Sequence, residues 1–205
     1  FLDLCHQPEI LDMVEQLIGP DIVLWGSQMF CKPAGTGLAV PWHQDGQYWP
    51  LDPLATVTVR IAFDDSTPEN GCMRYIPGSH KSRKLEHHEI TSASNMALKQ
   101  QVPDIDESAA KDDVLYAGMI SIHDVYLLHG SEANTSPNPR RGMTMRFMPT
   151  TSVFDRELAR EKAERIGGVD HSNRQIYLMR GIDRSGRKDR KSTRLNSSHA
   201  NISYA

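Results

Sequence analysis

In the stretch VPWHQDGQYW, residues 40 to 49, an imidazole and a carboxylate stand two positions apart, at His43 and Asp45. Side chains on a strand alternate between faces, so these two share one face while Gln44 turns away. Side by side they offer two donors to a single metal ion. They could equally be ordinary polar residues on a strand, because H-x-D recurs by chance and a metal needs a third donor from elsewhere.

Spacing points to that third donor. His129 closes the apolar run VYLLHG (125–130), and Arg140 follows eleven residues later, beyond GSEANTSPNP. A hairpin centred on that turn sets His129 and Arg140 opposite each other. Two histidines and one carboxylate make the facial triad of non-haem Fe(II) oxygenases, which leaves positions open for substrate and O2. An arginine beside such a site suits an anionic co-substrate, since its planar fork grips a carboxylate with two N–H donors and stays charged. With the Ser131 hydroxyl, Arg140 would hold the remote carboxylate of 2-oxoglutarate while the keto-acid end chelates iron.

Other residues compete for these roles. His123 shares strand parity with His129 but lacks an arginine at hairpin distance, so hydrogen bonding near the site is expected of it. His80 reads as a cap on the Pro77-Gly78 turn, and His87 and His88 as solvated. Arg141 would exchange faces with Arg140 on a one-residue slip. Arg146 continues the parity of Arg140 toward the cavity mouth, whereas Met143, Met145 and Phe147 have the opposite parity and belong to the core. Tyr48 and Trp49 either wall a substrate pocket or pack in the core. Gln28 and Lys32 share a strand face and are candidate contacts to co-substrate or substrate.

These residues need positioning elements. Apolar spacing over 8–18, opened by Pro8 and stopped by Gly19-Pro20, predicts a helix. Strands are expected at 21–32, 119–123, 125–130, 140–148 and 174–181. The alternation of Val57, Val59, Ile61 and Phe63 with Thr58, Arg60 and Ala62 marks the cleanest strand, in 55–65. CMRYIP (72–77) is expected to pair back on it. Residues 154–167 read as a polar helix with a solvated face, and 78–111, charged and aperiodic, as a lid. Many short strands with helices near the ends predict a mainly β chain, a sandwich or jelly roll with flanking helices.

WHQDGQYWPL, PENGCMRYIPGSHK, HGSEANTSPNPRRGMTMRFMPTT and IYLMRGID resemble the phytanoyl-CoA dioxygenase family of Fe(II)/2-oxoglutarate oxygenases, a similarity running over residues 8–184. The family pattern of H-x-D, a distal histidine in HGS and a following arginine is met here with gaps of 86 and 11 residues. The resemblance implies a cupin-like double-stranded β-helix. His43, Asp45 and His129 would bind Fe(II), and Arg140 and Ser131 would hold 2-oxoglutarate. It also implies O2-dependent hydroxylation of a small organic substrate with release of succinate and CO2. Related halogenases carry a small residue in place of the carboxylate, so Asp45 favours hydroxylation. Arg60 departs from the family, whose members often have Trp there. It either points into the cavity, toward co-substrate or an anionic substrate group, or pairs with an acid at a strand edge. The rivals are a cupin-like metalloenzyme that does not use 2-oxoglutarate and a non-catalytic jelly-roll binding module.

Bulk properties bound the rest. A chain of 205 residues, 39% hydrophobic with charge −3, fits one globular domain. No basic block suits nucleic acid and no apolar run suits a membrane helix, so the expected partner is a small molecule. Cys5, Cys31 and Cys72 are scattered and odd in number, which implies reduced thiols in the cytoplasm rather than a disulfide framework. The start at Phe1, close to a helix, suggests a missing N-terminal portion. DRKSTRLNSSH (189–199) back-translates to a DNA-sequencing adapter, so 189–205 is expected to be read-through outside the fold, with the oxygenase domain in 1–188. His199 is thereby no site candidate, and the body carries a charge of about −5.

Overall fold

The computed structural model describes residues 1–90, 96–166, 170–186 and 190–192. Its helices are α1 (Leu2–Cys5), α2 (Pro8–Ile18) and α3 (Arg156–Ile166). The strands are β1 (Ile22–Lys32), β2 (Val40–His43), β3 (Leu51–Asp52), β4 (Val57–Ala62), β5 (Met73–Tyr75), β6 (His88–Glu89) and β7 (Gln100–Gln101). They continue as β8 (Lys111–Asp113), β9 (Ile120–Asp124), β10 (His129–Ser131), β11 (Arg140–Pro149), β12 (Val153–Phe154), β13 (Ile176–Arg180) and β14 (Arg190–Ser192).

A six-stranded sheet in the order β14-β13-β1-β11-β4-β9 faces a four-stranded sheet, β2-β10-β5-β8, and the two form a jelly roll. The period of two predicted for β4 sends Val57 and Val59 to the outer face of the larger sheet and Thr58 and Arg60 to the inner one. Met143, Met145 and Phe147 of β11 join the outer face. There they meet Ile10, Leu11 and Val14, the apolar stripe of α2. Each of these fully buried side chains contributes about 1.5–3 kcal/mol of transfer free energy against the entropy of ordering it. A second cluster, Val23, Trp25, Trp49, Met148, Phe154 and Ile176, closes one end of the inner face under Ala159 of α3.

One irregularity matters for the site. The β1–β11 register shifts between Leu24 and Gly26. Before this bulge the even residues Ile22 and Leu24 face α2; after it the even residues Gly26, Gln28 and Lys32 face inward, opposite Arg146, Thr144 and Arg140. A bulge inserts one residue and reverses the parity that follows. Without it Gln28 and Lys32 would point into the apolar core.

Three expectations are corrected. CMRYIP does not pair with β4; as β5 it lies in the smaller sheet between β10 and β8. VYLLHG is a strand only at His129–Ser131, since Leu127 N–H donates to Asp124 O in a turn. His129 and Arg140 are not hairpin partners: β10 pairs with β2 and β5, and β11 with β1 and β4. The 132–139 connection crosses between the sheets instead of doubling back, so the two residues face one cavity from opposite walls. Of the presumed read-through, including His199, only residues 190–192 lie within the described residues, and they pair in parallel with β13.

Candidate metal centre and its cavity

His43 and His129 are direct cross-strand partners of β2 and β10, which brings their ring centroids to 4.2 Å. Gly130 permits that approach, because a Cβ there would stand 2.9 Å from the Val40 carbonyl oxygen. Asp45 is not on the strand with His43. It opens a 3-10 turn, Asp45–Gln47, in which Gly46 N–H donates to Val125 O at 3.2 Å. The turn swings the carboxylate back, placing Oδ1 3.7 Å from His43 Nε2 and 4.0 Å from His129 Nε2. One donor atom from each of the three residues lies within 4.8 Å of the others.

Both histidines present the nitrogen a metal requires. His43 Nδ1 lies 2.9 Å from Pro41 O, and His129 Nδ1 2.9 Å from Leu127 O. A carbonyl only accepts, so each Nδ1 carries the proton and each Nε2 keeps its lone pair for the centre. Burial, then the neighbouring His43, pushes the His129 pKa down to about 3. Burial acts to raise Asp45, but the imidazoles of His123, His43 and His129 outweigh it and hold the carboxyl well below its usual range. Two imidazole Nε2 donors and one carboxylate fit a divalent transition metal. His123 stands outside this set, with Nε2 3.5 Å from Asp45 Oδ2. Neither of its ring nitrogens has a hydrogen-bond partner among the described residues.

A cavity of about 680 Å³ adjoins the centre. One of its ends is cationic. Arg140 sits opposite Lys32 in the β1–β11 register, and Arg60 enters from β4. Arg60 resolves both alternatives in part: it lines the cavity from an interior strand and also pairs with Asp113 at 2.9 Å and with Ser66 Oγ at 2.8 Å. Lys32 donates to the Glu132 carbonyl, next to Ser131. Burial, then Arg140, pushes its pKa down to about 7. Arg140 is lowered to about 10 by burial and then by Arg60, and its buried Nε has no partner among the described residues. Arg141 points outward into a bidentate pair with Asp64. Ser131 and Gln28 also line the cavity.

The other end is aromatic and basic. Tyr48, Trp49, Arg146 and His171 line it below Ala159, Lys162 and Ala163 of α3. Trp49 packs edge-on against Trp25, with ring centroids 4.8 Å apart. The Tyr48 hydroxyl is pushed up to about 12 by burial, then by Asp45. Sequence reasoning passed over His171 and Arg174 here. The signal was Gly26, a glycine inside a strand, where a Cβ would collide with the Arg174 guanidinium.

His87 is not solvated as expected. It is half-buried, and its Nε2 accepts from Gln44 N–H at 3.0 Å. His88 is exposed beside Glu86, and His80 lies in a different cleft. Gln44 does turn away from His43, but into the protein: its amide donates to Arg83 O and Tyr126 O and accepts from Leu85 N–H. These bonds fasten the irregular stretch after Gly78 against the site, and Ala97 and Leu98 line the cavity. No helix among the described residues is long and apolar enough to cross a membrane.

A model of the phytanoyl-CoA dioxygenase (PhyH) family matches residues 1–142. The chain is 30% identical over 141 residues to a probable alpha-ketoglutarate-dependent hypophosphite dioxygenase of Stutzerimonas stutzeri, covering 67% of this chain and 49% of that protein. Among solved structures, the apo non-heme monooxygenase ThoJ superposes with a TM-score of 0.72 at 31% identity, over 95% of this chain and 65% of the other. CytC3 with Fe(II) and alpha-ketoglutarate gives 0.63 at 29% identity, over 90% and 66%. The chain spans about half the length of the curated relatives it matches.

Proposed function

The chain belongs to the phytanoyl-CoA dioxygenase family, and on that premise we propose that it is an Fe(II)/2-oxoglutarate-dependent dioxygenase that hydroxylates a small organic substrate. The observation that carries this is the pairing of a three-donor centre with Arg140, half-buried and with its Nε unpartnered among the described residues, in one cavity. His43, Asp45 and His129 would hold Fe(II). Bound there with 2-oxoglutarate and O2, the iron supplies the oxidising power for hydroxylation, with succinate and CO2 released. Arg140 and Ser131 orient the remote carboxylate of the co-substrate, and Lys32 and Arg60 add positive potential at the same end. Gln28 borders this space, and Tyr48, Trp49 and Arg146 wall the substrate side. His43 and His129 are themselves buried, and the lower access of water there strengthens the charge interactions at the centre. We place the domain in residues 1–188, with Arg190–Ser192 adding only an edge strand beside β13, and the scattered cysteines suit a reducing, cytoplasmic setting.

Anaerobic titration with Fe(II) and 2-oxoglutarate tests the proposal through the weak visible metal-to-ligand charge-transfer band. The band is expected in wild type and absent in His43→Ala. Iron binding without the band, whatever the 2-oxoglutarate concentration, would favour the cupin-like rival. A folded protein that binds no iron would favour the non-catalytic one.

A further inference from the structure

Along the inner face of β11, Arg140 and Arg146 lie six residues apart, about 20 Å between Cα atoms at the rise of a strand. The proposed co-substrate site uses the Arg140 end. The Arg146 end has a separate group of basic side chains, two arginines and a histidine. Arg146 is 7% exposed, and its register partner across β1 is Gly26. Because Gly26 has no side chain, the guanidinium of Arg174 occupies the space above it, immediately beside Arg146. His171 completes the group from the same loop. Burial and then this proximity lower Arg174 to about 10, and burial, then Arg174 and Arg146, lower His171 to about 4.

Asp45 and Asp170 act on Arg146 and His171 from a distance, but among the described residues no acid makes an ion pair with Arg146 or Arg174. Arg146 Nε and Arg174 Nη1 are buried without hydrogen-bond partners among the described residues. Trp49, Trp25 and Phe30 surround the Arg146 guanidinium at 5.1, 5.8 and 6.0 Å from their ring centroids. These faces fix its position but accept no conventional hydrogen bond. Two adjacent guanidinium groups, one buried and one half-buried, with no acid in hydrogen-bond or ion-pair contact among the described residues, are costly unless a ligand brings the counter-charge. Above them α3 presents the small side chains Ala159 and Ala163, which leave room in the cavity.

We infer that this second cationic end is the substrate anchor: the primary substrate carries a carboxylate, bound by Arg146 with His171 and backed by Arg174, so that a carbon away from the carboxylate faces the metal centre. The inference rests on the oxygenase reading of the same cavity and adds the substrate's chemical class. It assigns Gly26 a role as well, as the gap through which Arg174 reaches Arg146.

The test is calorimetric binding to the full chain loaded with Zn(II), which is redox-inert, and saturating 2-oxoglutarate. The probes are straight-chain carboxylates from butanoate to octanoate and the matching neutral amides. At least one carboxylate is expected to bind at least tenfold tighter than its amide. Arg146→Met and Arg174→Met should each weaken it tenfold or more, with 2-oxoglutarate affinity unchanged within twofold. Gly26→Ala keeps both arginines but displaces the Arg174 guanidinium, and should reproduce the Arg174→Met loss in a protein of wild-type circular dichroism. Equal binding of acids and amides, no binding of any acid, or retention of carboxylate binding in these variants would overturn the inference. So would a loss of 2-oxoglutarate affinity in Arg146→Met, which would give this end to the co-substrate. Arginine-dependent carboxylate binding in a protein that does not bind 2-oxoglutarate would instead sink the proposed function and leave the anchor standing.

Discussion

Arg140→Met should uncouple co-substrate binding from folding. In the proposed complex the guanidinium makes two charge-assisted hydrogen bonds to a carboxylate, each contributing about 1.5–3 kcal/mol. Their loss is about 3–6 kcal/mol, or roughly 10²–10⁴-fold in Kd at tenfold per 1.4 kcal/mol. The surroundings favour the lower end of that range. Removing Arg140 relieves the repulsion that depresses Lys32, so Lys32 becomes more fully charged and recovers part of the attraction. The same relief means the ligand-free protein should melt no lower than wild type, since Arg140 forms no ion pair among the described residues for the variant to break. Arg141→Met is the control: that side chain is 57% exposed and pairs with Asp64, an exposed pair of the kind worth about 0–1 kcal/mol. It should leave the 2-oxoglutarate Kd within twofold. The assay is the anaerobic charge-transfer titration at fixed Fe(II), with thermal denaturation alongside. An Arg140→Met protein that binds 2-oxoglutarate within threefold of wild type would refute the assignment, as would an equal loss in Arg141→Met.

Lys32 gives a pH signature. With its pKa near 7, about half of it is neutral at pH 7. A bound dianion favours the charged form and raises that pKa, so binding takes up protons and affinity falls as pH rises from 7 to 9. Calorimetry in buffers of different ionisation enthalpy should show the uptake, and Lys32→Met should abolish it; release or no exchange in wild type contradicts the placement. Phe147→Ala empties a fully buried site beneath α2 and should cost about 3–5 kcal/mol in urea denaturation. A loss below about 1 kcal/mol would mean that this core is not packed as described. Gln44→Leu removes three hydrogen bonds from a buried amide, and the Leu85 amide should then exchange with solvent about tenfold to a thousandfold faster, for about 1.4–4 kcal/mol of lost local protection. Unchanged exchange at Leu85 would show that Gln44 does not hold this stretch in place.

What the sequence determined by itself is local in origin. The period of two in β4 and β11 separated Val57, Val59, Met143, Met145 and Phe147 from Thr58, Arg60, Arg140 and Arg146, because strand geometry alone divides odd from even. The apolar spacing and end signals of α2 were equally explicit, and its bounds are those expected. Residue types at long spacing, read through a family resemblance, singled out His43, Asp45 and His129, which lie together in the fold. Pairing across the chain depended on tertiary structure. The symmetric turn between His129 and Arg140 suggested a hairpin, yet each strand finds its hydrogen bonds in a different sheet, since loop length does not reveal which edge a strand will join. Asp45 reaches the centre through a 3-10 turn rather than strand parity, a bend fixed by contacts from Val125, eighty residues away. Arg174 and His171 were unreadable for the same reason: their approach to Arg146 depends on a bulge in β1 and on the space above Gly26, and no local pattern encodes the meeting of three segments.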